Sequence, residues 1–121
     1  MAKKPGDVVI VEFPYDGNGR DSKFRPAIVL EVMESLNGGN WLRVAYGTSQ
    51  RTAEKDLQEG DFLISRSKGE NVFGVSGLRK DTRFVLTLHA KIAASRAKVI
   101  GCVHGNLMRD FYHAAKAANL L

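Results

Sequence analysis

Two polar segments, each beside an apolar run, contain the residues best suited to bind a phosphate group. Arg25 lies between the polar residues 15–24 and the apolar residues 26–30, and Thr48 begins a polar stretch after residues 41–46. A strand can fix the base of an arginine while its planar guanidinium binds phosphate through two hydrogen bonds. Hydroxyl groups nearby would orient that phosphate. The ordinary alternatives are a surface ion pair for Arg25 and a turn in which Thr48 bonds the neighbouring backbone.

Several other chemistries lack their sequence signatures. The chain has no phosphate-binding Gly-Lys-Ser loop, dinucleotide fingerprint, paired-histidine spacing or Gly-x-Ser-x-Gly elbow. His89, His104 and His113 are spread over a strand end, a turn and a helix. The single cysteine, Cys102, lies in an apolar run and is predicted to be a buried structural thiol. It can form neither an intrachain disulfide nor a cysteine metal cage, so we expect no metal and no organic cofactor.

The composition is that of one small globular domain with a basic surface. The chain has 121 residues, 44% hydrophobic and 26% charged, which predicts a single domain over residues 1–121. Lys and Arg number 18 against 13 Asp and Glu, for a net charge of +5. This excess favours a polyanionic partner: nucleic acid, an acidic membrane surface or an acidic protein. No apolar run is long enough to span a bilayer and no signal peptide is evident, so we expect a cytoplasmic protein without membrane contact.

The hydropathy pattern predicts a mainly β fold. Short runs rich in β-branched and aromatic residues, separated by turn signals, indicate strands. They cover residues 8–13, 27–32, 41–46, 61–64, 83–88 and 98–102. Pro14 is predicted to end the first strand, and residues 15–24 to form a mobile loop leading to a strand that Arg25 and Pro26 open.

The remaining segments are predicted to connect these strands and to end in a helix. We expect a hairpin turn at 36–40, a short helix or loop at 53–59, a polar loop at 65–71 and a helical turn at 90–97. From Asn106, a plausible N-cap, apolar residues recur at helical spacing. The absence of strand–helix alternation favours an all-β barrel or sandwich with one C-terminal helix.

Three blocks of the sequence resemble a known family in their order and spacing. Gly-Asp-Val-Val-Ile-Val-Glu-Phe-Pro at 6–14, a polar loop, and Arg-Pro-Ala-Ile-Val-Leu at 25–30 resemble the opening of the MazF/PemK toxin ribonucleases. Tyr-Gly-Thr-Ser-Gln at 46–50 is similar to the second block of that family, and Gly-Leu-Arg-Lys-Asp at 77–81 to the third. The resemblance extends from about Gly6 to Cys102.

The resemblance implies an SH3-like (CcdB/MazF-like) barrel with a C-terminal α-helix, acting as a homodimer. It implies a toxin that cleaves single-stranded RNA, often mRNA, without a metal and is neutralised by a cognate antitoxin. At the matching positions Arg25 would contact the scissile phosphate, and Thr48 would position that phosphate or the attacking 2′-hydroxyl. The products would carry a 2′,3′-cyclic phosphate and a 5′-hydroxyl. Further contacts with the substrate are expected from Lys23, Phe24, Pro14, Tyr15, Ser49, Gln50 and Lys80.

The sequence departs from the family at the positions expected to transfer protons. The PemK branch alternates an Arg and an Asp along the strand after the third block, where this chain has Val85 and Thr87. The general acid and base therefore stay open; His89, downstream, could serve or could be structural. Two other functions stay open as well. One is a CcdB-like gyrase poison that acts through the C-terminal helix. The other is an inactive family member that binds RNA or an antitoxin.

Overall fold

The fold is mainly β, as the sequence predicts. A computed structural model describes residues 3–15, 21–36 and 39–120, without the side chains of 13–15 and 21–23. Within these residues six strands form one antiparallel sheet in the order β4-β5-β3-β2-β1-β6. They are β1 (Asp7–Tyr15), β2 (Asp21–Glu34), β3 (Asn40–Thr48), β4 (Asp61–Ile64), β5 (Thr82–Ala93) and β6 (Ala97–Cys102).

Two α-helices accompany the sheet in the described part of the chain. They are α1 (Glu70–Val75), between β4 and β5, and the C-terminal α2 (Met108–Ala117). Short 3-10 turns cover Glu54–Asp56, Arg66–Lys68, Ala94–Arg96 and Gly105–Leu107. None of the helices described is long and apolar enough to cross a membrane.

Alternating side chains give the sheet two packed faces. On β1, Val8 belongs to one hydrophobic cluster and Val9 to another, because successive strand residues point to opposite faces. The first cluster is the larger, and Phe111 of α2 closes it by packing on Phe62, with ring centroids 5.2 Å apart. Removing a buried ring such as that of Phe62 costs about 3–5 kcal/mol. The second cluster includes Val29 and Val44.

The first two strands are longer than predicted. The strand β1 continues through Pro14, which pairs with Ser22, and β2 begins at Asp21 rather than at Arg25. The predicted loop at 15–24 is therefore wrong at its ends, and residues 16–20 lie outside the described chain. The strand β1 pairs with β6 only as far as Val11. Beyond that point β1 has a partner on one side alone among the described residues, and such edge positions tolerate a proline without an N–H.

The helical turn predicted at 90–97 is wrong over its first half. The strand β5 continues to Ala93, and only Ala94–Arg96 form a 3-10 turn. Ile92 pairs with Leu42 of β3, and this pairing outweighs the helix preference of the alanines. The polar loop predicted at 65–71 is also incomplete, because α1 begins at Glu70 and buries its Phe73.

The final helix begins later than predicted. Asn106 lies inside the 3-10 turn Gly105–Leu107, and its N–H donates to Nδ1 of His104 at 3.0 Å. The imidazole thus takes the role expected of the Asn106 side chain, and α2 starts at Met108. Cys102 is partly buried, whereas the sequence predicts a buried thiol. In the predicted hairpin at 36–40, Ser35 N–H donates to Gly39 at 3.1 Å, while residues 37 and 38 are outside the described chain.

Candidate functional site

A cleft of about 760 Å³ brings together the three sequence blocks that were singled out above. Arg25 belongs to the first block, Thr48 to the second and Lys80 to the third. The residues that line the cleft are Ile10, Phe24, Arg25, Pro26, Gly47, Thr48, Ser49, Gln50, Gly77, Leu78, Arg79, Lys80, Thr82 and Ile100. Ile10 and Ile100 belong to β1 and β6, and Leu78 lies between α1 and β5, so the apolar part of the lining comes from the sheet and from this connection.

Strand pairing places Arg25 and Thr48 at the same end of neighbouring strands. Strands β2 and β3 are antiparallel, and Ala27 pairs with Tyr46. Arg25 precedes Ala27 by two residues and Thr48 follows Tyr46 by two. In antiparallel neighbours these steps run in the same spatial direction. Both side chains therefore reach the same cleft although they are far apart along the chain.

Gly47 allows β3 to approach β5 closely beside Thr48. The register between these strands shifts between Ala45 and Gly47, which marks a bulge. A β-carbon at Gly47 would lie 2.4 Å from Cγ2 of Thr82 and 2.9 Å from the ring of Phe84. Any larger residue would push the end of β3, and Thr48 with it, away from β5.

The loop that carries Arg79 and Lys80 is fixed by backbone contacts. Arg66 Nη2 donates to the carbonyl oxygen of Arg79 at 2.7 Å, and Arg66 N–H donates to Asp81 Oδ1 at 2.8 Å. Thr82 Oγ1 donates to the carbonyl oxygen of Lys80 at 2.9 Å. The side chains of Arg79 and Lys80 are exposed, while hydrogen bonds hold the carbonyl oxygens of both residues and the carboxylate of Asp81.

The cleft is electropositive. Its described lining contains the cations of Arg25, Arg79 and Lys80, with no carboxylate and no imidazole. Phe24 stands at the same cleft with 69% of its surface exposed. A basic groove with an exposed aromatic ring suits a single-stranded nucleic acid, because the cations attract phosphates and the ring stacks on bases.

The Thr48 hydroxyl takes part in a local turn. Its Oγ1 accepts a hydrogen bond from the Gln50 N–H at 3.2 Å, the turn chemistry that the sequence left open as an alternative. This bond uses one lone pair of the oxygen, and a hydroxyl in that position keeps its proton for donation. The turn therefore orients Thr48 in the cleft lining without excluding a further hydrogen bond to a ligand.

The other predicted site residues are distributed unevenly. Phe24, Ser49, Gln50 and Lys80 line the cleft with Arg25 and Thr48. Pro14, Tyr15 and Lys23 lie in the paired part of β1 and β2, but their side chains are outside the described structure. The described residues contain no group of three or more His, Cys, Asp or Glu that could hold a metal ion.

His89 does not line the cleft. It lies on β5 opposite Ala45, where its Nδ1 bonds to Arg43 Nη1 at 3.0 Å. Arg79 and Thr82, which the sequence analysis did not choose, do line it. Arg79 could have been found as the basic neighbour of Lys80 in the third block, whereas no pattern in the sequence points to Thr82.

The comparisons with known proteins add no family to this description. No protein-family model matches the sequence, and no curated protein matches it.

Proposed function

We propose that this protein is an endoribonuclease that cleaves single-stranded RNA, including mRNA, without a metal ion. The observation that carries the proposal is the cleft in which Arg25 and Thr48 lie together with Arg79, Lys80 and the exposed ring of Phe24. The resemblance of the same segments to MazF/PemK toxins supports the choice of RNA as the polyanion.

The sheet is proposed to belong to the SH3-like, CcdB/MazF-like barrels. The edge strands of the sheet are β4 and β6. Phe62 and Ile64 of β4 share the first hydrophobic cluster with Ile100 of β6 and with Val103. A sheet whose two edges contribute to one core is strongly curled, as a small barrel requires.

The proposed reaction uses the nucleophile that RNA carries. The 2′-hydroxyl loses its proton and its oxygen attacks the adjacent phosphorus. The bond from phosphorus to the 5′-oxygen breaks and that oxygen takes up a proton, which gives a 2′,3′-cyclic phosphate and a 5′-hydroxyl. The charge that develops on the phosphoryl oxygens faces the planar guanidinium of Arg25. The Thr48 hydroxyl orients the phosphate or the 2′-oxygen for in-line attack. DNA has no 2′-hydroxyl and is not cleaved.

The positive charge of the cleft also favours an acidic protein partner. A cognate antitoxin with an acidic segment would compete with RNA for the cations of the cleft, and the free toxin would act as a homodimer in the cytoplasm. A gyrase poison acting through α2 would not need Arg25 or Thr48. A non-cleaving relative would need them for binding alone.

Cleavage of a mixed-sequence RNA in EDTA, with the new 5′ ends mapped, tests the proposal. We expect 5′-hydroxyl ends that a kinase labels directly, and no cleavage where the attacking nucleotide is 2′-deoxy. Arg25→Ala and Thr48→Ala should each lose about 10²–10³ in rate, while Arg109→Ala on the exposed face of α2 should not. Full activity of Arg25→Ala, or RNA binding without any cleavage by the unaltered protein, would contradict the assignment.

A further inference from the structure

A largely buried ion pair lies beside the turn that follows Thr48. Arg83 Nη1 bonds to Asp61 Oδ2 at 3.0 Å, with 15% of the arginine side chain and 2% of the aspartate side chain exposed. The same Oδ2 accepts the N–H of Gln58 at 2.9 Å. Such pairs contribute little net stability, because desolvation offsets the attraction. What this pair does provide is a fixed position for the guanidinium.

The same guanidinium reaches the turn that contains Thr48. Arg83 is paired with Thr48 across β5 and β3, and its Nε donates to the carbonyl oxygen of Gln50 at 3.4 Å. The N–H of Gln50 donates to Thr48 Oγ1 at 3.2 Å. Both backbone polar groups of this residue are therefore bound, the carbonyl by Arg83 and the N–H by Thr48.

Arg83 itself is not among the residues that line the cleft, whereas its neighbour Thr82 is. Directly paired residues of antiparallel strands have their side chains on the same face, so Arg83 lies on the Thr48 side of the sheet, next to the cleft lining. Its charge is compensated by Asp61. The guanidinium contacts Asp61 and the Gln50 carbonyl, so its connection with the site runs through the turn after Thr48.

We propose that Arg83, held by Asp61, is a positioning residue for Thr48. It fixes the Gln50 carbonyl and with it the turn whose N–H sets the direction of the Thr48 hydroxyl. The expected effect of Arg83 on the rate rests on the proposed RNA cleavage. Its expected effect on the turn at Gln50 does not. Misplacing a reacting group by a fraction of an ångström lowers the rate while leaving most of the binding contacts intact.

Arg83→Lys tests the proposal with little change of charge. Lysine keeps a cation for Asp61 but lacks the rigid fork that spans Asp61 and Gln50. We expect kcat to fall about tenfold with KM nearly unchanged. In a Thr48→Ala background, Arg83→Lys should cause no further loss, since no hydroxyl is left to orient. If the two substitutions acted independently, the loss of rate in the double variant would instead be the product of the two single losses.

A second readout does not depend on RNA. The Gln50 amide proton should exchange with solvent about 3–10-fold faster in Arg83→Lys, as expected for the loss of one hydrogen bond. Glu54→Gln, which breaks the Lys68–Glu54 pair of 2.6 Å outside the cleft lining, should change neither exchange nor kcat.

The outcomes separate the two proposals. If the unaltered protein cleaves no RNA, the proposed function fails and amide exchange alone decides the role of Arg83. Unchanged Gln50 exchange in Arg83→Lys would overturn the positioning role. If the protein cleaves RNA, two further results would overturn that role. One is an undiminished kcat in Arg83→Lys, and the other is a double variant with Thr48→Ala whose loss of rate is the product of the two single losses.

Discussion

Gly77 and the carbonyl oxygen of Ile100 are in such close contact that a β-carbon at Gly77 would lie 2.1 Å from that oxygen. Gly77 also has φ +72°, in the left-handed region that favours glycine. From the other side, a β-carbon at Gly101 would lie 2.3 Å from the carbonyl oxygen of Val75. These two glycines let the segment before Arg79 lie directly against β6, and this contact sets the width of the cleft.

Gly77→Ala is therefore expected to destabilise the protein and to disturb the cleft. The backbone strain and the clash with Ile100 should together lower the free energy of unfolding by about 2–4 kcal/mol. Gly74→Ala is the matched control, because a β-carbon there meets nothing within 4 Å and Gly74 lies in α1. Alanine in that helix should be neutral or stabilising by up to about 1 kcal/mol. Urea unfolding of both variants measures the difference, and equal stabilities would show that the Gly77 contact is not tight.

Phe24→Ala should weaken RNA binding without affecting the fold. The ring is 69% exposed at the cleft, so its removal should change stability by less than about 0.5 kcal/mol. A stacked base contributes about 1–3 kcal/mol, which corresponds to a loss of roughly 5–150-fold in affinity. Fluorescence anisotropy with a labelled, 2′-deoxy-substituted oligonucleotide that cannot be cut measures it.

Leu88→Ala is the control for Phe24→Ala. Leu88 has the same exposed fraction, 69%, and does not line the cleft. Its loss should leave affinity unchanged. If both variants bind equally well, Phe24 does not stack on the RNA.

The sequence predicted the elements that local pattern controls. Runs such as 61–64 and 98–102 contain β-branched residues bounded by turn signals, and both are strands within a residue of the predicted bounds. The boundaries that failed depend on partners distant in sequence. Ala90 and Ala93 continue β5 because β3 lies beside them, and the alanines alone give no hint of that neighbour.

The cleft could be predicted in part for a similar reason. Arg25, Thr48 and Lys80 were found because each belongs to a block that resembles a family pattern. Arg83 was not found, because its function depends on Asp61 and on the Gln50 carbonyl. Contacts of this kind arise from strand pairing, and an arginine among apolar strand residues carries no signal of them.

Stability should fall at high pH because of Tyr46. Burial raises the pKa of the Tyr46 hydroxyl above its ordinary value, and the charge of Arg96 opposes this only in part. Above about pH 10 the unfolded tyrosine loses its proton while the folded one keeps it, so unfolding becomes more favourable. The contribution of the protonated Tyr46 to the free energy of unfolding is complete below about pH 10. It is lost as the pH rises toward the pKa of the folded state, by at most about 1.4 kcal/mol per pH unit.

Tyr46→Phe removes this titration. Urea unfolding of both proteins between pH 9 and 11 should give a stability difference that changes with pH, because the two proteins differ only in the Tyr46 hydroxyl. A difference independent of pH would show that Tyr46 titrates alike in the folded and unfolded chains.

His89→Gln should leave RNA cleavage nearly unchanged. His89 is exposed, does not line the cleft, and bonds through Nδ1 to Arg43 at 3.0 Å. A general acid or base must come within hydrogen-bond reach of the proton that it transfers, and its loss typically costs 10²–10⁴ in rate. We expect kcat within about twofold of the unaltered protein, since an exposed substitution outside the site has little effect. The pH–rate profile of the variant should keep its shape. A hundredfold fall in kcat with the loss of one limb of that profile would instead make His89 the proton-transfer group and would require the RNA to extend beyond the cleft toward Arg43.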